Sequence, residues 1–134
     1  MFTLLTGNQS FLGVTESTVP SLASADAIIL PFGLEKTVSY GKGTANAPSA
    51  IIQASQQVEL FDEDLMYEPT NHINIVTASH PTIAKEIPTA LHQLEEMVET
   101  SLTHNLFPLV LGGEHTITAG AIKPFLLRHP DLLI

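Results

Sequence analysis

Cysteine is absent from the 134 residues, and that absence removes three function classes at once. A disulfide scaffold, a thiolate zinc site and a cysteine nucleophile all need it. Basic residues are scarce as well: five Lys and Arg stand against 14 Asp and Glu, a formal net charge of −9. A nucleic-acid binder needs a positive footprint, so that class is excluded. Long hydrophobic runs are missing, so no segment reads as a membrane span. The opening stretch, Met1 to Gly13, has no positive charge ahead of its short apolar patch and does not read as a secretory signal. What is present is a chain that is 44% hydrophobic and only 14% charged, too apolar to be disordered. The expectation is one soluble, cytoplasmic domain without repeats or linkers.

Strand-like and helix-like segments alternate along the chain. Ala25 to Leu30 is a short apolar run closed by Pro31-Phe32-Gly33 and reads as a strand buried on both faces. Pro48 opens a helix running to Leu60, with Ala50, Ile51, Ala54 and Val58 at helical spacing. His72 to Thr77 is β-branched and reads as a second strand. Between Pro88 and His104, Leu91, Leu94, Val98 and Leu102 form an amphipathic stripe, with Glu95, Glu96 and Glu99 on a solvated face. Phe107 to Leu111 is a third buried strand, ended by Gly112-Gly113. Thr116 to Arg128 is a further helix, with Pro124 expected to kink it. Such alternation predicts an α/β fold built of βαβ units on a mainly parallel sheet with helices on both faces. Ligands bind at the carboxyl ends of strands in sheets of this kind, which directs attention to the loop after the first strand and the Gly-Gly turn after the third.

The end of the chain has its own reading. Pro130-Asp131-Leu132-Leu133-Ile134 looks like a strand just beginning, and domain ends are usually exposed and polar. Either this is a short buried C-terminal strand or the chain is cut.

The sharpest chemical segment is Leu109 to Thr118, in which a strand runs into two glycines, an acid and His115. Glycines allow a sharp turn and close backbone approach, and a histidine just past a strand end is well placed to bind a metal. One histidine is not a site, and spacing alone favours a structural role for it over a ligand.

Leu111-Gly112-Gly113-Glu114-His115-Thr116-Ile117-Thr118 resembles the first metal-binding motif of the ureohydrolases, the arginase and agmatinase family. A second stretch agrees in order and separation: Pro31 to Thr44, followed by Ala47-Pro48-Ser49-Ala50-Ile51 and Ala54-Ser55, with Val58 to Glu63 matching the segment beyond. The likeness runs from about residue 11 to the end and is closer to agmatinases than to arginases. It implies an arginase-like three-layer αβα fold with a mainly parallel sheet, incomplete at its C-terminus, with residues 1–134 forming the N-terminal part of one domain. It also implies two Mn²⁺ ions at the sheet's carboxyl edge, bridged by a hydroxide that attacks a guanidinium carbon and releases urea and an amine. His115 matches the family's first histidine ligand and is the one metal ligand carried over; no catalytic residue is.

The family's Asp-Ala-His-x-Asp segment, expected just after a strand starting at Asp131, is not in these residues, nor are its later Asp-x-Asp ligands. Family members are roughly twice this length, close to a large single domain. One imidazole cannot hold a binuclear centre, so this chain alone is expected to hydrolyse nothing. Its third strand is expected to show an open apolar edge that makes the chain aggregation-prone. The implied partners are a small guanidinium substrate, agmatine first, and further copies of the protein at full length. A second function class is a non-catalytic half domain that pairs with a separate chain or a paralogue.

Several residues carry weaker readings. Ala47 stands where the family has glycine; if that position needs positive φ, Ala47 is strained by about 1 kcal/mol. Ser39 and Lys42 lie in a loop near the family's active-site rim and are candidates for substrate contact, or are surface residues without contact. Asp62, Glu63, Asp64 and Glu68 read as solvated charge rather than a metal site. His72, His80, His92, His104 and His129 have no ligand spacing. Gly41-Lys42-Gly43-Thr44 lacks the upstream glycine of a phosphate loop, and no Gly-x-Ser-x-Gly elbow supports an α/β hydrolase.

Overall fold

The structure, a computed structural model, describes residues 1–133. Its elements are β1 (Leu4–Leu5), β2 (Ala27–Phe32), α1 (Ala47–Ser55), β3 (Ile75–Ala78), α2 (Ile87–Thr103), β4 (Phe107–Gly112) and α3 (Thr118–Arg128), joined by turns and short 3₁₀ segments. The four strands form one sheet in the order β1-β3-β2-β4. β2 runs parallel to both β3 and β4, and only the two-residue β1 is antiparallel. That small edge strand has no counterpart in the sequence reading, because two residues carry no period.

Alternation along β2 divides the core. Ile28, Leu30 and Phe32 join Val76 and Ala78 of β3 and Ala90, Leu94 and Val98 of α2 in one buried cluster. Ile29 is buried outside that cluster, as is Ile52 of α1. α3 packs on α2. The helices therefore cover both faces of the sheet, as expected for a mainly parallel α/β fold.

Several boundaries differ from expectation for identifiable reasons. β2 extends through Pro31 and Phe32 because β4 pairs its whole length, from Ala27↔Phe107 to Phe32↔Gly112. Pairing with β3 stops at Ile29↔Thr77, so the missing N–H of Pro31 lies beyond that ladder. α1 ends at Ser55 rather than Leu60. The Ser55 hydroxyl donates to the Ile52 carbonyl at 2.6 Å and accepts the Leu12 N–H at 2.8 Å, pinning the last turn to the N-terminal segment. β3 starts at Ile75 rather than His72, since the N–H groups of His72 and Ile73 both go to the Pro69 carbonyl. Ala47 has φ −56° and ψ −43°, ordinary helical backbone, so the strain considered for it does not arise.

α2 lies within one residue of its expected bounds, but its acidic face is not all solvated. Lys123 reaches Glu95 at 2.8 Å and Arg128 reaches Glu99 at 2.7 Å, joining α3 to α2. Pro124 is buried inside a continuous α3. β4, expected to be buried, is an edge: Phe107 is 62% and Leu109 41% exposed. The strand expected from Asp131 does not form over residues 131–133, which turn back so that the Leu132 N–H meets the His129 carbonyl at 3.0 Å. No strand lies beside them to pair with among the described residues, and Ile134 lies outside those residues.

Candidate functional site

Parallel pairing sets the carboxyl ends of β2 and β4 side by side, with Phe32 opposite Gly112. The loop after β2 (residues 33–46) and the turn after β4 (residues 113–117) therefore meet. The Gly113 N–H donates to the Phe32 carbonyl at 3.3 Å and the Glu114 N–H to the Leu34 carbonyl at 2.9 Å. This contact demands glycine. A Cβ on Gly113 would fall on the Leu34 carbonyl oxygen, and one on Gly33 would fall on the Ala45 carbonyl oxygen. Both obstacles are backbone atoms that no rotamer change relieves. Gly113→Ala is expected to destabilise the fold by about 3 kcal/mol, the upper range for overpacking, read from denaturant midpoints.

Two carboxylates organise the loop. Glu114 is buried. Its carboxylate accepts the N–H of Lys36, the N–H of Thr37 and the hydroxyl of Thr37, each at 2.6 Å. The Thr37 hydroxyl also lies 3.1 Å from that of Thr116. Burial pushes the Glu114 carboxyl up, but the donors from Thr37, Lys36 and Thr116 outweigh it and bring it down to about 2. Glu35 closes the loop on itself, accepting the N–H groups of Gly43 and Ala45 at 2.8 Å and the Thr44 hydroxyl at 3.1 Å. The N–H of Ala45 does most to hold the Glu35 carboxyl below its ordinary value. Since the donors of Gly43 and Thr44 face an anion, the Gly-Lys-Gly-Thr stretch is not a phosphate cradle.

The Glu114 clamp has a pH signature. A group lowered in the folded state adds stability above its ordinary value of 4.5, and that stability is lost as pH falls towards about 2. Acid titration followed by circular dichroism is expected to show this loss in the wild type. Glu114→Gln should flatten that part of the profile.

His115 follows the clamp directly. Its side chain is exposed and its ring makes no hydrogen bond among the described residues, so both nitrogens are free to ligate. It opens onto a groove of about 540 Å³ walled by Val38, Ser39 and Tyr40 from the loop and by Thr118 from α3. Of the two loop candidates, Ser39 reaches this groove and Lys42 is not in its lining.

The other histidines do not converge. His72 meets the Tyr67 ring edge-on at 4.7 Å, His92 sits beside Glu95 and Glu96, and His104 Nδ1 lies 2.8 Å from the Thr100 carbonyl. In the acidic cluster, Asp62 accepts the N–H groups of Asp64 and Leu65 and shapes a turn. No group of three or more His, Asp and Glu side chains gathers at one point among the described residues. A pair of manganese ions does not fit what is here: one imidazole stands at this groove, and the neighbouring Glu114 has both oxygens engaged.

Sequence reasoning placed His115 correctly at a strand end but missed Glu35 and Glu114 as loop organisers. The one available signal was an acid beside each glycine turn, and the partners of those acids lie 8 to 10 and 77 to 78 residues away.

A profile of the arginase family matches residues 25–134, which includes both the loop and the His115 turn. The chain belongs to the arginase family. An N(1)-aminopropylagmatine ureohydrolase from Synechocystis is 29% identical over 124 residues, covering 87% of this chain and 39% of that protein. An agmatinase from Bacillus subtilis is 31% identical over 116 residues, covering 86% of this chain and 40% of that one. The chain thus spans about two-fifths of the length of the relatives it matches. The arginase fold is shared with an agmatine ureohydrolase of Thermoplasma volcanium (TM-score 0.74, 20% identity, 87% of this chain and 38% of that one). It is shared also with a hypothetical agmatinase from Burkholderia thailandensis (TM-score 0.80, 20% identity, 93% and 40%). In this arginase-family chain no helix among the described residues is long and apolar enough to cross a membrane.

Proposed function

We propose that these residues are the N-terminal part of an agmatinase-like ureohydrolase domain, a cytoplasmic, manganese-dependent enzyme that hydrolyses a guanidinium compound, agmatine first, to urea and an amine. One observation carries the reading: the unbonded His115 ring stands at the carboxyl end of β4, in a groove walled by the loop after β2, within the stretch that matches the arginase family. In this reading His115 is one metal ligand. Glu114 fixes the loop against the His115 turn, and Ser39 and Tyr40 form part of the substrate wall. The remaining ligands come from outside these residues, so the 134-residue chain alone is inactive. Copies of the complete protein associate.

The test is urea release by the longer protein, supplied with Mn²⁺ and offered agmatine, arginine and guanidinobutyrate separately. Turnover of agmatine above the other two is expected; no urea from any of them overturns the reading. The exposed edge of β4 suits a second arrangement as well, in which it pairs with a strand of a separate chain. Intact mass from native cells separates the two. A product of about twice this length means one domain, and a 134-residue product means a partner chain.

A further inference from the structure

The largest of the cavities described, about 680 Å³, lies away from His115, between α1 and the N-terminal turns. That volume is within the range of small-molecule sites, about 300–1,000 Å³. Its lining is unusual for this chain. Four of the five glutamines in the sequence, Gln9, Gln53, Gln56 and Gln57, surround it together with Asn8. The fifth, Gln93, is engaged elsewhere: its Oε1 accepts the Ala84 N–H at 2.8 Å and its Nε2 donates to the Thr82 carbonyl at 3.3 Å.

The arrangement follows from local structure. Ser49, Ile52 and Gln53 of α1 and Gln56, the residue just past its end, fall at i, i+3, i+4 and i+7 and line one side. Ile52 is buried and, with Leu5 of β1, supplies an apolar floor. Gln56 Nε2 donates to the backbone carbonyl of Asn8 at 2.9 Å, tying the helix wall to the N-terminal wall. His80, two residues past β3, completes the lining.

Charge decides what this cavity can take. The chain carries −9 overall, yet no Asp, Glu, Lys or Arg is in the lining. An ionic ligand therefore finds no carboxylate, ammonium or guanidinium partner there, and His80 is the one titratable side chain in the lining. No Phe, Tyr or Trp lines it, and the imidazole of His80 is its one ring, so a nucleobase or sugar finds no extended aromatic face to stack on. Each carboxamide offers one acceptor and two donors on one planar group. An uncharged amide satisfies such a set pair by pair, donor to acceptor and acceptor to donor.

We propose that this cavity, independent of the His115 groove, is a binding site for an uncharged amide- or ureido-bearing ligand, held by Asn8, Gln9, Gln53 and Gln57. That chemistry has two sources, a free small molecule such as urea or the backbone of a neutral peptide segment.

The experiment labels the glutamine side-chain amides of the longer protein with ¹⁵N and follows them by NMR. One arm adds urea below denaturing concentrations. A second adds the neutral peptide Ac-Ala-Gln-Ala-Ser-NH₂, and a third its charged counterpart Ac-Ala-Glu-Ala-Asp-NH₂. Saturable shifts of Gln9, Gln53 and Gln57 are expected with urea, the neutral peptide or both, while Gln93 stays still as an internal control. A response to urea assigns the free molecule, and a response to the peptide alone assigns a docked segment. Gln57→Leu, at an exposed position beyond the end of α1, should weaken the responding probe about 5-fold, the loss of one hydrogen bond. The proposal is overturned if neither neutral probe shifts these signals, if Gln93 shifts equally, or if the charged peptide binds as well as the neutral one.

Discussion

On the proposed ureohydrolase reading, His115→Ala in the longer protein is expected to cut Mn²⁺-dependent urea release at least about 100-fold, beyond the loss typical of a ligand's supporting residues. Its folding stability should change by no more than about 0.5 kcal/mol, the usual bound for an exposed side chain without special contacts. The separation of the two effects is what gives the test its force. The imidazole is exposed and bonded to nothing among the described residues, so its removal leaves the turn intact. The residues on either side behave in the opposite way. Gly113 leaves no room for a Cβ against the Leu34 carbonyl, and Glu114 satisfies three donors of the neighbouring loop. Substitutions there act through the fold. Metal content measured on purified wild type and variant completes the comparison: a lower Mn²⁺ load in His115→Ala is expected. Full activity with an unchanged metal load would remove His115 from the site.

The second large effect concerns β4. The 134-residue chain, prepared alone, is expected to associate with rising concentration, seen by light scattering and sedimentation velocity. Phe107 to Gly112 is an uncharged edge strand, and Phe107 and Leu109 are already exposed on it. Beside it lies an apolar recess of about 250 Å³ lined by Val110, Ile117, Ala121 and Phe125. Edges of this kind template pairing with other chains unless charge or proline blocks them. Pro108 removes only one donor. Leu109→Lys places a charge on the exposed part of the strand, and it should shift the onset of association to higher concentration without altering the helical signal. A sharp, concentration-independent melt of a monomeric wild-type chain would sink this expectation.

Composition and periodicity alone determined the fold class, the two-sided helical cover and the place of His115. Those features depend on local signals. Ala27 to Leu30 form an unbroken apolar run, Leu94 and Val98 recur at helical spacing, and a strand running into Gly112-Gly113 must turn. Family membership was legible too, because the Gly-Gly-Glu-His stretch and the loop after β2 are contiguous words in the sequence. Tertiary structure decided the rest. Ser55 ends α1 because it bonds Leu12, 43 residues away, and Pro31 joins β2 because β4 reaches that far along it. Glu114 is a clamp and not a ligand because Lys36 and Thr37, 77 to 78 residues earlier, bring their donors to it. Glutamines 9, 53, 56 and 57 surround one cavity because α1 packs beside the N-terminal turns. A carboxylate or carboxamide is only a list of donors and acceptors until the fold sets its partners beside it.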